Sequence, residues 1–150
     1  MPVIIVGADT PIGIEIVAKL AENAGEVRTF ITDPAFTDTF RSQNCKVAIG
    51  DVSDSSHIEI AGFEAFTAVL IAEAALDSRE RSFSTNPEST AAAWIKAVTD
   101  ARIQRMIWIG TTPLGEPPGV GRIPEVAVLS ASGQDTAVEV ARLNELAELP

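Results

Sequence analysis

Val3-Ile4-Ile5-Val6 constrains the chain more than any other segment. Four apolar residues run into a turn bracketed by Gly7 and Gly13, and Ile12, Ile16, Val17 and Leu20 then recur at helical spacing. An unbroken apolar run suits a parallel strand buried on both faces, and the change of period inside one short turn marks a strand that passes directly into a helix. Such a turn can receive an anion, because the first amides of the helix lack partners within it and the positive end of the helix dipole faces the turn. Glycines there permit a tight turn and close contact of helix with strand. Gly7 and Gly13 take those two places, while Thr10 stands where a middle glycine would let a phosphate reach the backbone. Pro11 suits the first helical turn and removes one donor from it.

The alternation continues along the chain. Strands are predicted over 3–6, 27–32, 46–49, 67–72, 105–109 and 125–130, with helices over 11–23, 35–42, 55–62, 86–101 and 134–147. Strands alternating with helices imply right-handed crossovers and a parallel sheet covered on both faces. The expected fold is a doubly wound, three-layer α/β/α sheet of about six strands, in one domain over residues 1–150. Residues 110–124 are too rich in Gly and Pro for a helix, and they leave the fifth strand at the edge where ligands bind in such sheets. They form either a lid or a plain connection.

With 21 acidic against 11 basic side chains the formal charge is −10, which opposes docking on nucleic acid or an anionic membrane. No basic stretch precedes an apolar one at the start, no apolar run approaches the ~20 residues of a membrane span, and Cys45 is the sole cysteine. A cytoplasmic protein is expected. His57 has no evident orienting partner, Cys45 reads as a small buried apolar residue, and the carboxylates are scattered rather than set at metal-ligand spacing, so no metal is expected.

Three further segments accompany the opening turn: Val27-Arg28-Thr29-Phe30-Ile31-Thr32-Asp33-Pro34, Gly50-Asp51-Val52-Ser53-Asp54, and Arg105-Met106-Ile107-Trp108-Ile109-Gly110-Thr111-Thr112. In this order, over roughly residues 2–112, they resemble the atypical short-chain dehydrogenase/reductases, in particular the NmrA-like NAD(P)-binding proteins, whose opening is G-x-x-G-x-x-G. The resemblance implies a Rossmann-like domain and a dinucleotide cofactor. Gly7, Asp9, Thr10, Pro11, Ile12 and Gly13 would form its phosphate turn, with Asp33 at the ribose and Asp51 and Val52 at the adenine. Ala72 would pass beside the cofactor, and Thr111 and Thr112 match the family's active-site Ser/Thr. Each has a plain alternative: Asp33 starts a turn with Pro34, Asp51 and Ser53 cap the next helix, and the threonines bond the turn after their strand. NAD is favoured over NADP, because an acid ends the second strand and Thr32 falls where the family's Arg would accept a 2′-phosphate.

The catalytic set is where the chain departs from that family. Short-chain dehydrogenases use Tyr-x-x-x-Lys, in which the lysine lowers the tyrosine pKa for proton exchange with the substrate. This chain has no tyrosine, and its last lysine is Lys96, before the fifth strand. Carbonyl reduction by that pair is excluded, and no catalytic residue is assigned. Three readings remain: an NAD(P)-binding sensing or regulatory protein, a small NAD(P)H-dependent oxidoreductase passing hydride directly to a flavin or quinone held around Pro113, Leu114 and Val120, and a protein-interaction scaffold without nucleotide. A response-regulator receiver is excluded, since Gly7-Ala8 and Gly110-Thr111 stand where it needs an acidic pair and a lysine. A homodimer is expected through helix 86–101, whose Ala91 to Val98 stretch is broadly apolar, or through the C-terminal helix.

Overall fold

A computed structural model of the chain describes residues 1–23, 25–76, 86–131 and 135–150. Its strands are β1 (Val3–Val6), β2 (Val27–Ile31), β3 (Lys46–Ile49), β4 (Thr67–Ile71), β5 (Arg105–Gly110) and β6 (Glu125–Ser130). The helices are α1 (Pro11–Asn23), α2 (Thr37–Ser42), α3 (Ser55–Ala61), α4 (Ala72–Leu76), α5 (Pro87–Asp100) and α6 (Thr136–Glu145). All strand pairs are parallel, in the order β3-β2-β1-β4-β5-β6. That is the strand order of a doubly wound dinucleotide-binding sheet, and the chain reverses direction across the β1–β4 boundary.

Because strand side chains alternate between faces, β1 contributes to two cores. Ile4 and Val6 pack with Phe30, Trp94, Met106 and Trp108 beneath α3, α4 and α5. Val3 and Ile5 pack with Ile16, Val17, Leu20, Phe40, Val140 and Leu143 beneath α1, α2 and α6. All of β1, β4 and β5 is buried, so the uninterrupted apolar runs read correctly as central strands.

Several boundaries differ from expectation. Ala72, read as the end of a strand, opens the short helix α4, and the second helix begins with a 3-10 turn over Pro34–Phe36. The predicted start of the last helix, residue 134, lies outside the described residues. On α5 the apolar residues Ala91, Trp94, Ile95, Ala97 and Val98 are all buried within the protomer, leaving Ala92 exposed. The breadth that suggested a subunit contact is taken up by the sheet and α3.

Residues 111–124 make the β5–β6 crossover without a helix. Leu114 and Ile123 are buried in the α5-side core, Trp108 Nε1 donates to Leu114 O at 3.1 Å, and a Cβ on Gly110 would overlap the Gly115 carbonyl. The segment is a strap pinned at both ends, not a lid.

Arg105, the first residue of β5, is fully buried. It donates Nε to Glu125 Oε2 at 3.0 Å and Nη1 to the carbonyls of Leu143 and Leu146, each at 2.7 Å. Helices end with carbonyls that lack intrahelical partners, and this guanidinium satisfies those of α6.

Candidate functional site at the carboxyl edge of the sheet

Gly7 leaves β1 at φ +88, a left-handed conformation that glycine adopts without steric cost. A Cβ there would stand 2.7 Å from Ala74 Cβ, because α4 is tucked against the turn. A Cβ on Gly13 would overlap Gly7 O and lie 2.7 Å from Ala8 O. Both glycines are thus required by close approach, as expected for the strand-to-helix turn of a dinucleotide site.

Thr10 is buried and serves as the N-cap of α1. Its Oγ1 donates to Gly7 O at 2.7 Å and accepts from Gly13 N–H at 3.1 Å. Ile14 N–H goes to Thr10 O at 2.9 Å and Pro11 has no N–H, so among the first helical amides Ile12 is the one remaining for an anion. The threonine therefore fits the turn by taking, with its own hydroxyl, the bond a pyrophosphate oxygen would take.

Asp9, in the same turn, is buried as well. Its Oδ2 accepts from the consecutive amides of Thr32 at 3.1 Å and Asp33 at 3.0 Å, tying the first turn to the end of β2. Neither periodicity nor motif spacing signals this contact, since its partners lie more than 20 residues away and are backbone groups. Asp33 Oδ1 accepts from Ala35 N–H at 2.9 Å, so that oxygen opens the 3-10 turn, as the plain alternative had it.

At the end of β3, Asp51 Oδ1 accepts from Ser53 N–H at 2.8 Å and Ser53 Oγ at 2.6 Å. The cap of α3 is Asp54, not Asp51 or Ser53, accepting from His57 N–H at 3.2 Å. Val52 is buried, and its carbonyl accepts from Trp94 Nε1 at 2.6 Å, so a core indole fixes this loop. Ala72 is buried at the start of α4, beside the β1–β4 boundary. Thr111 is half-buried, its N–H donating to Leu114 O at 3.3 Å, while Thr112 is exposed two strands from β1. Leu114 turns into the core and Pro113 and Val120 are exposed, so these three do not form a common apolar wall.

His57 packs edge-on against Phe30 with ring centroids 4.9 Å apart, and burial pushes the Cys45 thiol above its ordinary value. Both are packing residues. The described turns at this edge carry Asp9, Asp33, Asp51, Asp54 and Glu73 and neither lysine nor arginine. Among the described residues, no group of three or more His, Cys, Asp or Glu is placed to hold a metal, and no helix is long and apolar enough to cross a membrane.

No protein of curated function matches the sequence. Among solved structures, the chain is similar to the NADPH-dependent quinone oxidoreductase of Escherichia coli complexed with NADPH, at TM-score 0.60 and 17% identity over 72% of this chain and 36% of that one. It is also similar to the Citrobacter triphenylmethane reductase complexed with NADP(H), at TM-score 0.61 and 16% identity over 77% and 39% of the two chains. A short-chain dehydrogenase/reductase of Veillonella parvula in complex with NADP matches at TM-score 0.58 and 16% identity over 75% and 48%. The chain thus spans less than half the length of each, and at these identities the likeness is one of fold. A family model described as NAD(P)H-binding matches residues 7–140. With that match running from the first turn into α6, the chain belongs to this NAD(P)H-binding family, and its sheet has the Rossmann-like strand order.

Proposed function

We propose that this domain is a dinucleotide-binding protein that takes NAD(H) in preference to NADP(H). It has no acid–base residue of the Tyr-x-x-x-Lys kind and acts as a nucleotide-binding or sensing module. The observation that carries this reading is the Gly7–Gly13 turn at the β1–β4 boundary, where a Cβ on either glycine would meet neighbouring atoms. The Ile12 amide and the α1 N-terminus would receive the pyrophosphate, Asp33 the ribose, and Asp51 with Val52 the adenine. The acidic edge supports NAD: a third phosphate would stand near Asp9 and Asp33 without a cation among the described turns to offset it.

When bound, nicotinamide supplies hydride. The chain's residues bind and orient; Thr111, at the end of β5, can position a ligand through its hydroxyl, with no tyrosine to deliver a proton. A second reading, direct hydride transfer to a stacked acceptor, is favoured by the solved structures named above, which are NAD(P)-dependent reductases. On this reading the protein is cytoplasmic and pairs as a homodimer through α6, where Val138 is exposed. Sedimentation as a monomer at tens of micromolar would remove the dimer.

Calorimetric titration with NADH and NADPH tests the binding reading. Micromolar NADH affinity, at least tenfold tighter than NADPH, is expected; no heat with either at millimolar concentration overturns it.

A further inference from the structure

We propose a second binding site at the amino edge of the sheet, opposite the dinucleotide turn. It would take a small oxyanion, a phosphate- or carboxylate-bearing metabolite, held by Arg102 and Arg122. A cavity of 520 Å³ lies between the end of α5 and the segments that enter β5 and β6, lined in part by Thr99, Asp100, Arg102, Gln104, Arg122 and Pro124. That size is ordinary for a small-molecule site.

Four observations at this cavity point to an anionic occupant. First, in a chain this acidic most cations are paired: among the described residues Lys19, Arg28, Lys46, Lys96, Arg105 and Arg142 all make ion pairs. Arg41, Arg102 and Arg122 do not, and two of these three share the cavity. Guanidinium groups are the side chains best matched to planar carboxylate and to phosphate oxygens.

Second, Arg102 sits at φ 57, where glycine is the usual residue. Arg102 N–H bonds Thr99 O and Ile103 N–H bonds Val98 O, each at 3.1 Å, which is the helix ending that places its left-handed residue just after the cap. An arginine there gives up backbone stability that glycine would supply, and residues kept in such conformations cluster at ligand sites.

Third, Thr99 Oγ1 is buried and has no hydrogen-bond partner, although its residue lines the cavity. Fourth, the groups at a helix end that would repel an anion are already engaged. The Val98 and Thr99 carbonyls accept the two bonds just described, and Asp100 is held by Lys96 Nζ at 2.6 Å.

The test is titration of the full chain with inorganic phosphate and with citrate at low ionic strength, read by calorimetry and by thermal midpoint. Wild type is expected to bind at one site and to melt higher with the anion. Arg102→Gly is expected to melt at the same temperature or higher without anion, since it relieves the backbone, yet to bind at least tenfold more weakly. Arg122→Ala is expected to lose binding equally, whereas Arg41→Ala, at an exposed arginine outside the cavity, keeps it. Response to phosphate alone identifies phosphate esters as the class, and response to citrate alone identifies polycarboxylates. Wild type that binds neither, or Arg102→Gly and Arg122→Ala that bind as wild type does, overturns the site. Saturating NADH is expected to leave the anion affinity unchanged, which separates this site from the dinucleotide turn.

Discussion

Arg105 and Glu125 join the first residues of two neighbouring strands, Nε to Oε2 at 3.0 Å, and together they hold the end of the chain. Arg105 binds carbonyls at the end of α6, its Cζ lies 5.0 Å from the centroid of the Phe66 ring, and Glu125 Oε1 accepts from Leu149 N–H at 3.0 Å. Removing one partner leaves the other charge desolvated. Arg105→Ala is therefore expected to destabilise the fold by about 3–5 kcal/mol. Urea unfolding measures this; a loss below about 1 kcal/mol would mean that water replaces the guanidinium freely.

The same pair sets a pH dependence. The Arg105 guanidinium, then the Leu149 amide, hold the Glu125 carboxyl below its ordinary value of 4.5. A carboxyl depressed in the folded state contributes stability that is fully present above the unfolded value and is lost as pH falls through the folded one. Melting temperature is expected to decline below about pH 4.5 more steeply in wild type than in Glu125→Gln. Parallel curves would assign acid unfolding to other carboxylates.

Thr10 gives a separable effect at the turn. Thr10→Gly frees Gly13 N–H and is expected to tighten NADH binding several-fold while lowering stability by about 1 kcal/mol, the usual worth of a side-chain cap. Weaker binding in this variant would show that the hydroxyl holds the nucleotide rather than standing in for it.

Gly13→Ala is expected to be among the most damaging single-methyl changes in the chain. The added carbon meets backbone oxygens of Gly7 and Ala8, which cannot swing aside, so a loss of about 3 kcal/mol or more is expected, from the upper end of overpacking penalties. Circular dichroism and urea midpoints check it, and a wild-type midpoint would show that α1 can lift off β1.

Asp9→Asn keeps the shape of the side chain and removes its charge. The ratio of NADPH to NADH dissociation constants is expected to fall about tenfold, equivalent to ~1.4 kcal/mol. An unchanged ratio would leave Asp33 as the discriminating acid.

The scaffold was legible because its strands announce themselves by composition. Val3–Val6, Thr67–Ile71 and Arg105–Gly110 are buried on both faces, and apart from Thr67 and Arg105 at their first positions they are uninterrupted runs without a polar side chain. The glycines at 7 and 13 were equally readable, since few other residues fit turns so close to neighbouring backbone. Side-chain bonds to distant backbone were not. Asp9 on the Thr32 and Asp33 amides, Trp94 on the Val52 carbonyl and Arg105 on the end of α6 join residues far apart in sequence, and neither periodicity nor spacing encodes such pairs. Helix α4 was missed for a local reason: Ala-Glu-Ala-Ala-Leu has strong helix propensity, but it follows a strand with no turn residue between them.

The position of β1 between β2 and β4 also bears on how the molecule is made. Parallel neighbours cannot be joined by a tight turn, so every contact in this sheet closes a long loop, and such topologies fold slowly. Synthesis runs from the amino to the carboxyl end, so Val3–Val6 emerge before Thr67–Ile71, and one side of that strand has nothing to pair with until the later segment has followed. During synthesis the most apolar segment of the protein is an open strand edge. How well a chaperone shields Val3–Val6 during that interval would decide the yield of folded protein.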